Sequence, residues 1–72
     1  MGKSTSNTTR LVFEFVKKYT ALHTHPPTIR EIAEGCFLST SAVTRHLDRL
    51  EGEGRLTREP GRARAITILK DD

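Results

Sequence analysis

The sequence predicts a small α+β fold that is mainly helical, with three helices followed by a C-terminal β-hairpin. Three stretches of the first 54 residues carry apolar side chains every three or four positions, as on one face of a helix. The remaining sequence alternates apolar and polar residues on either side of a Pro-Gly turn, as in two paired strands. With 72 residues, of which 35% are hydrophobic, the chain provides one domain with a thin core.

The first helix is predicted from Thr9 to about His23. Asn7 or Thr8 can cap its start, and a proline pair ends it, because a residue that precedes proline avoids the helical region. Residues 1–8 form a polar, flexible leader in this interpretation, which we prefer to a match with the short and common N-myristoylation pattern. The apolar stripe predicted for this helix consists of Leu11, Val12, Phe15, Val16, Tyr19 and Leu22.

Two shorter helices follow. Thr28 and Glu31 form a capping box at the start of the second helix, predicted from Ile29 to Cys36 with Ile29, Ile32, Ala33 and Cys36 buried. The third begins after the cap-forming run Ser39-Thr40-Ser41 and ends near Gly52 or Gly54. Its predicted buried positions are Val43, Leu47 and Leu50, and its outward positions are Ser41, Thr44, Arg45 and Asp48.

The hairpin is predicted from strands at residues 55–58 and 63–69, joined by the turn Glu59-Pro60-Gly61-Arg62. A lone hairpin is marginal in water, so we expect Leu56, Ile66 and Ile68 to pack on the helices. The net charge of +3 and pI near 9.5 are mildly basic. The charge is concentrated in this part of the chain, where one acid, Glu59, accompanies five basic residues: Arg55, Arg58, Arg62, Arg64 and Lys70.

These elements favour DNA as the partner. Two helices joined by a short turn, the second beginning with small polar side chains, meet the requirements for reading a major groove about 12 Å wide. Arg45 is the best candidate for reading a base, because a guanidinium can bond guanine O6 and N7 together. Taken alone, the charges of helix 3 would be a solvated face on which Asp48 and Glu51 balance the basic residues. Arg62 and Arg64 at the hairpin tip, which can contact phosphates or enter a minor groove, favour DNA binding instead.

The sequence also resembles the DNA-binding domain of LexA-type repressors, from the first helix to Leu69. The resemblance rests on Pro26 to Ala33, Ser39 to Leu47, Arg49-Leu50-Glu51, Gly54, and Gly61 to Ile66. Three features depart from the family pattern: Phe37 replaces the usual glycine of the turn, Gly35 lies inside helix 2, and the turn is one residue shorter.

The resemblance implies a winged helix-turn-helix over residues 9–70 that represses transcription, with base contacts from the start of helix 3. We expect it to act without the self-cleaving Ser/Lys protease domain that also dimerises such repressors, so regulation by autocleavage is not carried over. The predicted DNA-binding residues are Thr28, Ser39, Thr40, Ser41, Thr44, Arg45, Arg49, Arg62 and Arg64.

The sequence leaves two alternatives to DNA binding. An enzyme or metal site would draw on His23, His25, His46 and Cys36, but these lack the paired spacings of zinc ligands and Cys36 falls in a buried stripe. We therefore expect no catalysis, metal or cofactor. The other alternative is a winged-helix protein-interaction module without specific DNA binding, since a fold does not fix its function.

The expected partner is double-stranded DNA. No apolar run approaches the roughly 20 residues of a membrane span, and the N-terminus lacks a signal peptide's apolar core. The single cysteine cannot form an internal disulfide, so we expect a cytoplasmic protein.

One helix and wing bury only about 600 to 1,000 Å² on DNA, and Phe13 and Tyr19 exceed what a small core needs. We expect a monomer or weak homodimer that pairs on DNA.

Overall fold

The computed structural model describes residues 7–59 and 66–69. The predicted class, three helices and a C-terminal antiparallel hairpin, is confirmed. The predicted leader up to residue 6 and the hairpin tip at residues 60–65 lie outside the described residues. The elements are α1 (Asn7–His23), α2 (Ile29–Cys36), α3 (Thr40–Gly52), β1 (Leu56–Arg58) and β2 (Ile66–Ile68).

Helix α1 begins two residues before its predicted start, so Asn7 and Thr8, predicted to end the leader and to cap the helix, lie within the helix. It ends at His23 as predicted. Thr24 then takes a left-handed φ of 61° and donates its N–H to the Thr20 carbonyl at 2.9 Å. The prolines that follow prevent the helix from continuing.

The buried face of α1 differs from the predicted stripe. Val12 and Val16 are buried as expected, but Phe13 is only 4% exposed, whereas Leu11 is 55% and Leu22 79% exposed. The predictions that Leu11 and Leu22 pack inward and that Phe13 is surplus to the core are therefore wrong. Apolar residues cover more than half the circumference of α1, so their spacing leaves its rotation undetermined. Packing against α2 and α3 selects the face that includes Phe13.

The predicted capping box of α2 is present. The Glu31 N–H donates to Thr28 Oγ1 at 3.1 Å, and the Thr28 N–H donates to Glu31 Oε1 at 2.9 Å. These bonds satisfy two of the amide groups left without partners at a helix start. The box therefore fixes where α2 begins. The predicted buried stripe is also confirmed, with Ile32, Ala33 and Cys36 buried and Ile29 packed at its edge.

We expect Thr28→Ala to lower the free energy of unfolding by about 1 kcal/mol, because the Glu31 amide loses its acceptor. Urea denaturation followed by circular dichroism measures the change. Thr28→Ser is the matched control and should stay close to the unaltered chain, since serine keeps the capping hydroxyl. An alanine variant as stable as the unaltered chain would show that the box does not stabilise α2.

The turn after α2 forms around Phe37, whose φ of 59° and ψ of 47° are left-handed. The Leu38 N–H donates to the Ala33 carbonyl at 2.9 Å, as in the helix ending that usually contains glycine. Gly35, the other departure inside α2, has a packing role. A Cβ there would lie 2.2 Å from Cε2 of the Phe15 ring, so glycine lets the two helices approach.

Phe37→Gly is expected to raise the free energy of unfolding by about 0.5 to 1 kcal/mol. Glycine takes the left-handed conformation without a Cβ clash, and little packing is lost because the Phe37 side chain is 93% exposed. Thermal and urea denaturation give the values. Phe37→Ala removes the same ring but keeps the Cβ, so it should bring no such gain. Equal gains in both variants would show that the stability rises because the exposed ring is removed, and not because glycine relieves the left-handed backbone.

The hairpin is anchored directly behind α3. Gly54 has a φ of 78°, and the Arg55 N–H donates back to the Leu50 carbonyl at 3.0 Å, which ends the helix. Leu56 then pairs with Ile68 in antiparallel register. As predicted, the hairpin packs on the helices through its apolar residues. The core consists of Val12, Phe13, Val16, Ile32, Ala33, Cys36, Val43, Leu47, Leu50, Leu56 and Ile66.

Candidate nucleic-acid interface

Helix α3 has a fully buried side that fixes its rotation. Val43, Leu47 and Leu50 are each 0% exposed, and their i, i+4, i+7 spacing places them on one stripe. Ser41 and Arg45 lie on the opposite side and are exposed, as predicted. Small polar and cationic side chains therefore occupy the surface that the core leaves to solvent.

We call five predicted residues the polar face of α3. The structure brings them together over the first one and a half turns of the helix, where the amide groups give a partial positive charge. Four of the five are exposed, and Thr44 is half-buried. The members are Ser39, Thr40, Ser41, Thr44 and Arg45.

Two hydroxyls of the polar face are held by backbone bonds. Ser39 is the N-cap, and its Oγ accepts the Ala42 N–H at 3.1 Å. Thr44 Oγ1 donates to the Thr40 carbonyl at 3.0 Å. A hydroxyl has one donor hydrogen and two acceptor lone pairs. Ser39 thus keeps its hydrogen for another acceptor, and Thr44 keeps lone pairs for another donor, with both side chains already oriented.

The other predicted contact residues lie apart from the polar face or outside the described residues. Arg49 Nε is 3.7 Å from Glu53 Oε2, which holds this side chain toward the C-terminal end of α3. Thr28 lies at the start of α2, half-buried, with its hydroxyl engaged in the capping box. Arg62 and Arg64 fall in the part of the hairpin that the structure does not describe. DNA contacts from all four remain predictions.

An ionic contact between the hairpin and α3 was not predicted. Arg58 Nη2 bonds Asp48 Oδ1 and lies 3.2 Å from Glu51 Oε1. In the alternative of a solvated face, Asp48 and Glu51 would balance the basic residues of α3 itself, and the structure pairs them with Arg58. The strand pattern indicates that Arg58 faces the helices, because alternation places it on the same side of β1 as the buried Leu56.

A second contact joins α3 to α1. His46 Nδ1 lies 2.8 Å from Oγ1 of Thr9, a residue that is 1% exposed. His46 is half-buried, so it is not part of a fully solvated face. This bond adjoins Arg45 along the chain and fixes α3 against the start of α1.

Cys36, His23 and His25, the candidates for a catalytic or metal site, pack against other side chains. Cys36 is 8% exposed, and burial raises the pKa of its thiol because the thiolate would lose hydration. The thiol is thus a poor nucleophile near neutral pH. The rings of Tyr19 and His23 pack with centroids 4.1 Å apart at a tilt of 33°, and His25 lies beside them. Across residues 7–59 and 66–69, no three His, Cys, Asp or Glu side chains are grouped to hold a metal ion.

No helix in the described part of the chain has the length and apolar character needed to cross a membrane.

Comparison with known families decides the relationship. The sequence model of the family described as the LexA DNA binding domain matches residues 3–65, which is most of the chain. This chain belongs to the LexA DNA-binding domain family. The resemblance inferred from the sequence is therefore confirmed, and the three helices and hairpin agree with it.

Individual relatives give the extent of the match. The LexA repressor of Caldicellulosiruptor saccharolyticus is 42% identical over 73 residues, covering 100% of this chain and 36% of that protein. The LexA repressors of Listeria welshimeri and Geobacillus kaustophilus are 46% and 44% identical over 81% and 85% of this chain, and 29% and 30% of their own lengths. The chain thus spans about a third of these LexA repressors.

Proposed function

We propose that the chain binds double-stranded DNA sequence-specifically and represses transcription, with α3 in the major groove. The observation that carries the proposal is the rotation of α3, whose stripe of fully buried residues turns the polar face outward. Membership of the LexA DNA-binding domain family and the repressor names of its relatives support it. We further propose that it acts on the nucleoid in a prokaryotic or phage setting.

Each predicted residue has a role in this proposal. Arg45 reads a guanine through O6 and N7, while Ser39, Thr40, Ser41 and Thr44 bond bases or phosphates at the groove edge. Thr28 and Arg49 contact the phosphate backbone on either side of the groove. Thr28 does so from the N-terminus of α2, which is the positive end of that helix. Arg62 and Arg64 extend the contact to phosphates or the minor groove.

Arg62→Ala and Arg64→Ala are expected to weaken binding to all DNA sequences about equally. Each should flatten the slope of log affinity against log salt by roughly one unit, because one phosphate contact and its released counterion are lost. Fluorescence anisotropy at several salt concentrations gives both quantities. If either variant changes the preferred sequence and keeps the salt slope, the hairpin reads bases and its assignment to the backbone is wrong.

Selection of bound duplexes from a random DNA pool tests the proposed function. We expect enrichment of one defined sequence whose affinity falls steeply with salt. Because one helix and wing cover few base pairs, we propose that the chain is a monomer or weak homodimer that pairs on DNA, which predicts two half-sites in the selected sequence. Failure to enrich any sequence would contradict the proposal.

Exposed apolar residues favour the second candidate, a protein-interaction module. Leu22 is 79% and Phe37 93% exposed, and such side chains are common in contacts between proteins. Binding to a protein through these residues would be insensitive to salt, whereas DNA binding is not. Salt titration therefore separates the two functions.

A further inference from the structure

Arg58 occupies an inward-facing position at the far end of the hairpin ladder. It pairs with Ile66, and Leu56, two residues earlier, pairs with Ile68. Alternate residues of a strand face the same side, so Arg58 faces the helices as the fully buried Leu56 does. Its side chain is only 21% exposed, whereas Thr57 between them is exposed. A cation at such a position requires anionic partners nearby.

Helix α3 supplies those partners. One guanidinium nitrogen, Nη2, bonds Asp48 and reaches Glu51 Oε1 at 3.2 Å, and Nε reaches the same Glu51 oxygen at 3.3 Å. One arginine thus joins two carboxylates three residues apart on the helix. A forked, charge-assisted contact on a largely covered side chain constrains geometry more than an isolated surface pair. We call this set of three residues the Arg58 bridge.

The Arg58 bridge adjoins the polar face of α3. Asp48 is exposed and lies one turn beyond Arg45 and two turns beyond Ser41 on the same side of the helix. An uncompensated carboxylate there would repel phosphates. Arg58 compensates that charge and also ties the hairpin to the helix. The apolar anchor at Leu56 and the ionic anchor at Arg58 together hold β1 against α3.

We propose that Arg58, acting through Asp48 and Glu51, is a positioning residue for DNA recognition. It holds the hairpin so that the hairpin and the polar face of α3 reach one duplex together. This role rests on the proposed function and adds a specificity-determining residue to it. It differs from a phosphate contact, because the guanidinium is already engaged with α3.

The double variant Asp48→Ala/Glu51→Ala separates the two roles. It keeps Arg58 but removes its partners, and it raises the net charge from +3 by two. Affinity is measured for a duplex selected by the unaltered chain and for a shuffled duplex of the same composition. The ratio of the two affinities should fall about tenfold, because a hairpin that is no longer fixed to α3 contacts phosphates out of register and α3 loses one base contact. Affinity for the shuffled duplex should hold or rise, because the added positive charge favours any DNA.

Three further variants complete the test. Arg58→Gln should lower the ratio similarly, and adding it to the double variant should lower the ratio no further, since all act on one contact. Lys18→Gln removes one charge from an exposed position on α1 and should leave the ratio unchanged. Circular dichroism and thermal melting establish that each variant is folded.

The outcomes are distinct. If Asp48→Ala/Glu51→Ala binds both duplexes more tightly at an unchanged ratio, the two carboxylates act only through their charge, and the positioning role is overturned. If Arg58→Gln and Lys18→Gln lower the ratio equally while the double variant leaves it unchanged, the loss of one positive charge explains the fall, and the positioning role is likewise overturned. If the unaltered chain does not prefer the selected duplex, the proposed function fails, and the positioning role fails with it.

Discussion

Leu47→Ala is expected to lower the free energy of unfolding by about 3 kcal/mol, the largest stability change among these predictions. Leu47 is 0% exposed in the middle of α3, where α1, α2 and the hairpin enclose the core. Alanine would lose the transfer energy of the side chain and leave a cavity. A domain of 72 residues has a total stability of roughly 4 to 11 kcal/mol. The variant should therefore lose roughly a quarter to three quarters of the total stability, which urea denaturation extrapolated to water measures.

Leu22→Ala is the matched control, because it removes the same atoms from a leucine that is 79% exposed. Its free energy of unfolding should stay within about 0.5 kcal/mol of the unaltered chain. Equal losses in the two variants would mean that the core assigned to α3 and the exposed side assigned to α1 are wrong.

Arg45→Ala is expected to cause the largest loss of DNA affinity. Binding to the selected duplex should weaken by about 1 to 3 kcal/mol, roughly 5- to 150-fold, because a forked bond to guanine is lost. Preference should relax at one base pair of each half-site. The melting temperature should change little, since Arg45 is exposed on the side of α3 opposite the core. Fluorescence anisotropy on a set of single-base variants of the duplex measures both effects.

Arg10→Ala provides the comparison for Arg45→Ala. It removes an exposed arginine of α1, so any effect should be small and equal for all sequences. A uniform loss of the same size in both variants would show that Arg45 contributes only charge and does not read a base.

Local chemistry made much of the fold predictable from the sequence. The capping box at Thr28 and Glu31 involves residues three apart, so its bonds follow from sequence spacing alone. The rotation of α3 was also predictable, because Val43, Leu47 and Leu50 form one narrow stripe among polar neighbours. The polar face of α3 follows from that stripe. Its role in binding DNA remains a proposal.

Other features depend on contacts between distant parts of the chain. Phe13 became part of the core because packing with α2 and α3 chose among several apolar sides of α1. Arg58 reaches Glu51 and Asp48 across seven and ten residues, where charge pairing cannot be read from helix periodicity. The bond between Thr9 and His46 spans 37 residues. Sequence patterns identify which side chains are inward or outward, and tertiary packing selects their partners.

Chemical-shift mapping of the selected duplex on the backbone amides tests whether the polar face of α3 contacts DNA. Spectra of the folded chain with and without the duplex show which amides change. We expect the largest changes from Ser39 to Arg45, with small changes around Leu22 at the far end of α1. Changes centred on Leu22, with the amides of Ser39 to Arg45 unaffected, would contradict the claim that α3 enters the major groove.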